Sequence, residues 1–200
     1  MFDKSLITEN RLASAKKKEM TPLRLYPDDN NAFFGGSTGG LYFTTLDECQ
    51  CADFAINGRM QPCKHMIRLA MELGMIDNSG MESDETAARA KYQLSRMKQY
   101  IREEPIAKVT LFVRPLMNIV CDGEYPVSEH RFDDVLDING IENSPIFKMK
   151  KNGDMTIDKK YKKEIDNVLD VARNRYGDEA LARIEEDDLI EILGRNLDLG

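Results

Sequence analysis

Three cysteines and a histidine lie close together in the chain, and this cluster constrains the fold more than any other feature of the sequence. Cys49 and Cys51 form a Cys-x-Cys pair, eleven residues follow, and Cys63 and His65 form a Cys-x-His pair. The 200 residues include only four cysteines and two histidines. Where the N-terminus carries no export signal, clustered cysteine and histidine residues indicate a metal site before they indicate disulfides.

Zinc is the metal that this donor set favours, because structural zinc takes four sulfur or nitrogen ligands in a tetrahedron. Residues two apart on an extended strand point to the same side, so Cys49 and Cys51 can hold one edge of the tetrahedron. Pro62 suits the start of a helix, which would place Cys63 and His65 in the first turn. Four protein ligands leave no position for a catalytic water, so we expect a structural metal. The alternative is three buried free cysteines beside an unrelated histidine.

The motif resembles the SWIM zinc finger, whose pattern is C-x-C, a variable spacer and C-x-H. The resemblance covers about residues 32–75, with aromatic residues at Tyr42, Phe43 and Phe54 and a helix start at Pro62-Cys63-Lys64-His65. It implies a small β-hairpin and a helix around one zinc ion. It also implies a role in binding DNA or protein. Residues 105–200 carry no comparable resemblance.

Hydrophobic periodicity predicts an α+β fold, in which flanking helices and a C-terminal α+β region accompany the zinc-bound β-hairpin and helix that the resemblance implies. In the first region, 1–104, we expect a helix over 4–19, strands near 23–25, 32–34 and 41–45, a helix after Pro62, and a helix over 83–103 capped by Ser83. In the second region, 105–200, we expect a strand at 109–113, a hairpin over 146–157, a helix from about 159 and a final acidic helix at 189–197. Glu103-Glu104-Pro105 mark the boundary between the two regions.

The net charge of −7 opposes nonspecific coating of DNA, because proteins in that role are usually basic. The acidity lies mostly in residues 108–200, whereas the first 65 residues have equal numbers of basic and acidic side chains. If the finger binds nucleic acid, with DNA favoured, the expected contacts are the basic residues near the zinc and at the end of the first helix. These are Arg59, Lys64, Arg68, Lys16, Lys17 and Lys18. The alternative is a solvated charged surface and a cationic helix end that complements the helix dipole.

Other patterns leave alternatives open. A second basic stretch lies within 148–163, and an acidic stretch within 178–198 could dock on a basic protein partner. This protein-interaction role is the alternative function. Tyr42, Phe43 and Phe54 either stack on bases or pack beneath the metal.

No enzyme signature accompanies these features. Cys121 and His130 lack the glycines and the signature of a nucleophilic site, and the loop at 35–40 lacks the Gly-Lys-Ser/Thr of a phosphate-binding loop. No apolar run approaches the roughly 18 residues of a membrane span, and the first residues lack the apolar region of a signal peptide. We expect a cytoplasmic, non-catalytic accessory or regulatory protein, with no membrane association and no small-molecule substrate.

Overall fold

The computed structural model describes most of the chain, namely residues 2–58, 60–120, 144–152 and 155–181. The fold mixes helices with small antiparallel sheets, which confirms the predicted α+β class. The chain divides into two compact units, Met1–Ser95 and Arg96–Gly200. This division falls inside a helix and before the predicted boundary at residue 104, which stays a prediction.

The N-terminal segment does not form the single helix predicted over 4–19. It forms a 3-10 turn, a short α-helix and a second 3-10 turn, over Lys4–Leu6, Glu9–Ala15 (α1) and Lys18–Met20. The prediction was wrong because the backbone is extended at Thr8 and Lys17. Thr8 occupies the N-cap position of α1, where its residue type is favoured, and the Asp3 carboxylate caps the first turn.

The first sheet has the three strands that the sequence predicts, and consecutive strands are antiparallel. The strands are β1 (Arg24–Tyr26), β2 (Asn31–Gly35) and β3 (Leu41–Thr45). Phe33 on the central strand lies opposite Arg24 and Phe43. Its neighbour Phe34 points to the other face and is buried, because side chains alternate along a strand.

Two helices follow the sheet and carry most of the metal-binding motif. The short α2 (Ala52–Asn57) is absent from the sequence prediction, whereas α3 (Lys64–Glu72) starts after Pro62 as expected. Helix α3 is buried on nearly all sides, with Leu69 beside β2 and Ile67 beside α1. Gly74 follows with φ 67°, a conformation that ends the helix at low cost for glycine.

The long helix α4 (Glu85–Glu103) matches the helix predicted over 83–103. Its predicted apolar stripe is buried, comprising Ala90, Leu94, Met97 and Ile101. The cap differs from the prediction, because the carboxylate of Asp84 accepts the backbone N–H of Ala87 at 2.9 Å. Ser83 instead places its hydroxyl 2.9 Å from the guanidinium of Arg68.

In the second unit, the strand predicted at 109–113 is wrong. This segment is part of α5 (Ile106–Val120), and its buried residues recur at helical spacing: Val109, Phe112, Val113 and Leu116. Spacings of three and four residues place side chains on one face of a helix. Pro105 precedes the helix, and its carbonyl oxygen accepts the N–H of Lys108 and Val109.

The later described elements of the second unit follow the prediction. Strands β4 (Phe147–Met149) and β5 (Met155–Ile157) form an antiparallel hairpin, and α6 (Lys162–Tyr176) follows it. Helix α6 buries Ile165, Val168, Leu169 and Ala172, as expected. The predicted helix at 189–197 lies outside the described residues. Among the helices that the structure describes, none has the length and apolar character to cross a membrane.

Candidate metal centre

The four predicted ligands come together at one buried point, although they come from three different local structures. Cys49 follows β3 and forms an isolated bridge with Thr44. Cys51 is the N-cap of α2, Cys63 is the N-cap of α3, and His65 lies in the first turn of α3. The four ligands therefore come from the end of one strand and from the starts of two helices.

The geometry of this cluster is compatible with a tetrahedral metal ion. The four candidate ligand atoms all lie within 4.8 Å of one another. His65 Nδ1 lies 3.8 Å from Cys49 Sγ and 3.9 Å from Cys63 Sγ. With zinc–sulfur bonds of about 2.3 Å, tetrahedral ligands lie about 3.8 Å apart. The donor set thus fits zinc, and it would fill all four positions of a tetrahedral ion.

Hydrogen bonding among the three thiols shifts their pKa values in different directions. Hydrogen bonds from the thiols of Cys49 and then Cys63 lower the pKa of Cys51, and the N–H of Phe54 also donates to its sulfur, at 3.4 Å. The pKa of Cys63 is raised, because its thiol proton is held by Cys49 and Cys51 and the side chain is buried. A bound cation would replace the remaining thiol protons, so metal binding releases protons.

Aromatic side chains enclose the histidine. The His65 ring packs against both Phe34 and Tyr42, with ring centroids 5.4 Å apart in each pair. Phe54 packs against the cysteines, together with Phe2. Two of the three aromatic residues singled out in the sequence thus pack beside the metal cluster.

The third of these aromatic residues, Phe43, lies elsewhere. Its ring packs against Phe33, with centroids 5.2 Å apart. Side-chain alternation along β3 separates Phe43 from the metal-facing Tyr42.

Arg11 on α1 joins the two halves of the ligand set, and the sequence analysis missed it. Its guanidinium donates to the carbonyl oxygens of Gln61 and Pro62, at 3.3 and 2.7 Å, directly before Cys63. It also forms an ion pair of 2.6 Å with Asp53, two residues after Cys51. No local pattern links a residue on α1 to the finger, so sequence spacing could not reveal this contact.

Arg68 was predicted to contact nucleic acid, and that prediction is wrong. Its side chain is fully buried. Its guanidinium is occupied by five acceptors within the protein, namely Glu72 Oε1, Ala15 O, Lys17 O, Thr21 Oγ1 and Ser83 Oγ. The four-residue spacing from Lys64 does not place both side chains at the surface, because α3 is buried on nearly all sides.

The other basic residues that were predicted to contact nucleic acid differ in their exposure and in their contacts. Lys64 is half-buried, and Lys17 and Lys18 are exposed. The ammonium of Lys16 donates to the carbonyl oxygen of Ser79. Arg59 lies outside the described residues.

The remaining candidate features lie partly or wholly outside the described residues. Cys121 and His130 are both outside them, as is most of the acidic stretch at 178–198. The basic stretch at 148–163 is partly described, and one of its lysines, Lys148, pairs with Asp158 at 2.8 Å.

Comparisons with known proteins found no match for this chain. No protein-family model matches the chain, and neither the curated proteins nor the solved structures contain a significant match. The resemblance to the SWIM finger therefore rests on the motif itself and on the cluster that it forms.

Proposed function

We propose that this chain is a zinc-binding protein of the SWIM type that binds nucleic acid, with DNA favoured. It acts in the cytoplasm as an accessory or regulator and has no catalytic activity of its own. The single observation that carries the proposal is the buried cluster of Cys49, Cys51, Cys63 and His65.

Zinc would act here as a structural ion. Bound to three thiolates and one imidazole, it would replace thiol protons and join the end of β3 to the starts of α2 and α3. All four tetrahedral positions would be filled by protein atoms. This leaves no open position for a water, which supports a non-catalytic role.

The charges near the metal cluster support binding to phosphates. Lys64 starts α3 directly after the ligand Cys63, and Lys17 and Lys18 are exposed. The first 65 residues are balanced in charge, and the acidity of the chain lies mostly in residues 108–200. Lysine ammonium groups bind phosphate as point charges and release counterions from the nucleic acid.

Binding to a protein is the second candidate function. The net charge of −7 favours a basic protein partner. Ile56 and Met60, which follow the second cysteine, are 78% and 65% exposed. Exposed apolar side chains of this size suit a protein interface.

Salt dependence of DNA binding separates the two candidates. We would titrate the zinc-loaded full chain into fluorescein-labelled single-stranded DNA, double-stranded DNA and RNA of one sequence, and follow anisotropy across a salt series. The expected result is binding whose affinity falls steeply with salt, because each phosphate contact releases counterions. Chelator-treated protein is the control and should bind weakly. Absence of binding at low salt would contradict the proposal and favour the protein partner.

A further inference from the structure

One face of the first sheet carries a row of aromatic side chains. Phe33 on the central strand β2 lies directly opposite Phe43 on β3, and their ring centroids are 5.2 Å apart. The ring of Tyr26 on β1 meets the ring of Phe33 edge-on, with centroids 6.3 Å apart. The three rings thus form a continuous row across the three strands. We call the sheet face that carries Tyr26, Phe33 and Phe43 the aromatic face.

The aromatic face is directed away from the metal cluster. Phe34 and Tyr42, whose rings contact His65, lie on the opposite face, because side chains alternate along a strand. On the aromatic face, Tyr26 is 39% exposed and the other two rings are half-buried. The rings therefore remain partly accessible to a ligand.

Helix α4 limits the aromatic face at one end. Gly35 lies on this face two residues after Phe33, and a Cβ atom placed on Gly35 would lie 2.8 Å from Tyr92 Cβ. No residue that the three strands contribute to this face is buried. The helix thus approaches at Gly35 and leaves the aromatic row open beyond it.

The charge of the aromatic face complements an anion. Arg24 lies directly opposite Phe33, its side chain is exposed, and among the described residues its guanidinium has no ion-pair partner. The strand residues of this face include no acidic side chain and are Arg24, Tyr26, Asn31, Phe33, Gly35, Leu41, Phe43 and Thr45. The face therefore has a positive charge in a chain whose net charge is −7.

We propose that the aromatic face binds two or three unpaired bases of a single-stranded nucleic acid, while Arg24 contacts an adjacent phosphate. This inference rests on the proposed function and specifies the kind of strand and the residues that bind it. Partly exposed aromatic rings on a sheet stack on bases of any sequence, because every base has a π face. An arginine can bind a phosphate through two parallel hydrogen bonds.

A single strand suits this face better than a duplex or an apolar protein surface does. In a duplex the flat faces of the bases are covered by their neighbours, so aromatic side chains reach them only where the strand is unpaired. An apolar protein surface could cover the rings, but it would also desolvate the guanidinium of Arg24 without supplying an anion. Burial of an unpaired charge is costly, so Arg24 favours the nucleic acid.

Ring-removing variants of the zinc-loaded full chain test the proposal. We would measure the anisotropy of labelled oligothymidylate, and of its duplex with oligoadenylate, across a salt series for Tyr26→Leu, Phe33→Leu and Phe43→Leu. Leucine removes the ring and keeps an apolar side chain, and Tyr26→Phe tests rescue by a residue that keeps the ring. Tyr161→Leu is the matched control, because Tyr161 is a half-buried aromatic residue of the second unit. Bound zinc and thermal unfolding identify misfolded variants.

Two further variants separate stacking from charge. Arg24→Met should reduce the salt slope on the single strand by about 0.7, the contribution of one phosphate contact, whereas the ring-removing variants should leave the slope unchanged. Phe33→Trp introduces the only tryptophan of the chain. Its fluorescence should be quenched when oligothymidylate binds, because a stacked base contacts the indole ring.

We expect the wild type to bind the single strand more tightly than the duplex, and each ring-removing variant to bind the single strand about tenfold more weakly. Tyr26→Phe and Tyr161→Leu should bind like the wild type. Wild-type affinity in folded, zinc-loaded Tyr26→Leu and Phe33→Leu overturns this site while leaving the proposed function intact. Tighter binding to the duplex, or unquenched fluorescence of Phe33→Trp with the strand bound, also overturns it. Wild-type protein that binds no nucleic acid overturns both.

Discussion

Arg68 is a fully buried cation whose guanidinium contacts five acceptors. An arginine in this setting is stabilising only while its partners remain in place, because each broken contact leaves a buried polar group unpaired. Glu72, its ion-pair partner at 2.7 Å, has a side chain that is only 16% exposed. The remaining acceptors include main-chain carbonyls of Ala15 and Lys17. Arg68 therefore connects three segments of the first unit through one side chain.

Replacement of Arg68 should destabilise the protein without changing an exposed side chain. We expect Arg68→Met to lower the free energy of unfolding by about 3 kcal/mol, the usual cost of removing one partner of a buried ion pair. Arg68→Lys should also be destabilising, because one ammonium cannot satisfy the acceptors of a planar guanidinium. Urea denaturation measures both, and Arg24→Met, at an exposed position, is the control. Unchanged stability of Arg68→Met would mean that this network contributes nothing to folding.

Short-range sequence patterns predict the strands and helices whose structure is determined by neighbouring residues in the chain. Strands β2 and β3 and helix α3 follow from hydrophobic alternation, a glycine-rich turn and Pro62 before the helix. Helix α5 does not, because Val109, Leu111 and Val113 alternate like a strand while Val109, Phe112, Val113 and Leu116 also fit a helix. In so apolar a segment only the length of the pattern separates the two.

The candidate site likewise combines residues that sequence spacing identifies with residues that only the fold brings together. Spacing alone identifies the metal ligands, because Cys-x-Cys and Cys-x-His are local patterns. Contacts through Arg11 and Arg68 depend on which helices become neighbours in the fold. Residue type alone does not separate a buried arginine from one that binds phosphate.

The start of α4 offers a test of which residue caps the helix. Asp84→Ala should lower the free energy of unfolding by about 1 kcal/mol. Asp84→Asn should keep a free energy of unfolding close to that of the wild type, because asparagine is an equally good N-cap. Urea denaturation gives both values. Ser83→Ala should show coupling to Arg68→Met in a double-mutant cycle, because the two side chains are in contact. A loss of about 1 kcal/mol in Ser83→Ala that persists in the Arg68→Met background, with no effect of Asp84→Ala, would restore Ser83 as the cap.

At the scale of the whole molecule, the described part of the first unit contains at least three small apolar clusters. One contains the three cysteines with Met66, another Ala32, Phe34 and Leu69 with Met20, and a third Ala15, Ile67 and Met71. Small clusters of this kind supply limited stabilisation. We therefore expect a bound metal to contribute a large part of the folding free energy of Met1–Ser95.

Removal of the metal should unfold this unit selectively. After chelation, hydrogen exchange should accelerate in β2, β3 and α3, while β4, β5 and α6 keep their protection. Cys63→Ser should behave like the chelated wild type and bind less than one zinc per chain. Cys121→Ser, which changes the cysteine outside the cluster, is the control and should retain zinc and protection. One zinc per chain and unchanged exchange in Cys63→Ser would refute the ligand assignment.

The contacts of Arg11 define how much of this protein would have to be transplanted to obtain a working finger. A graft limited to the motif, residues 32–75, would leave behind the side chain that connects Asp53 to the carbonyls of Gln61 and Pro62. Those carbonyls would then turn to solvent, and the loop before Cys63 would lose its attachment to α2. The smallest portable unit therefore begins before α1 and is considerably longer than its signature.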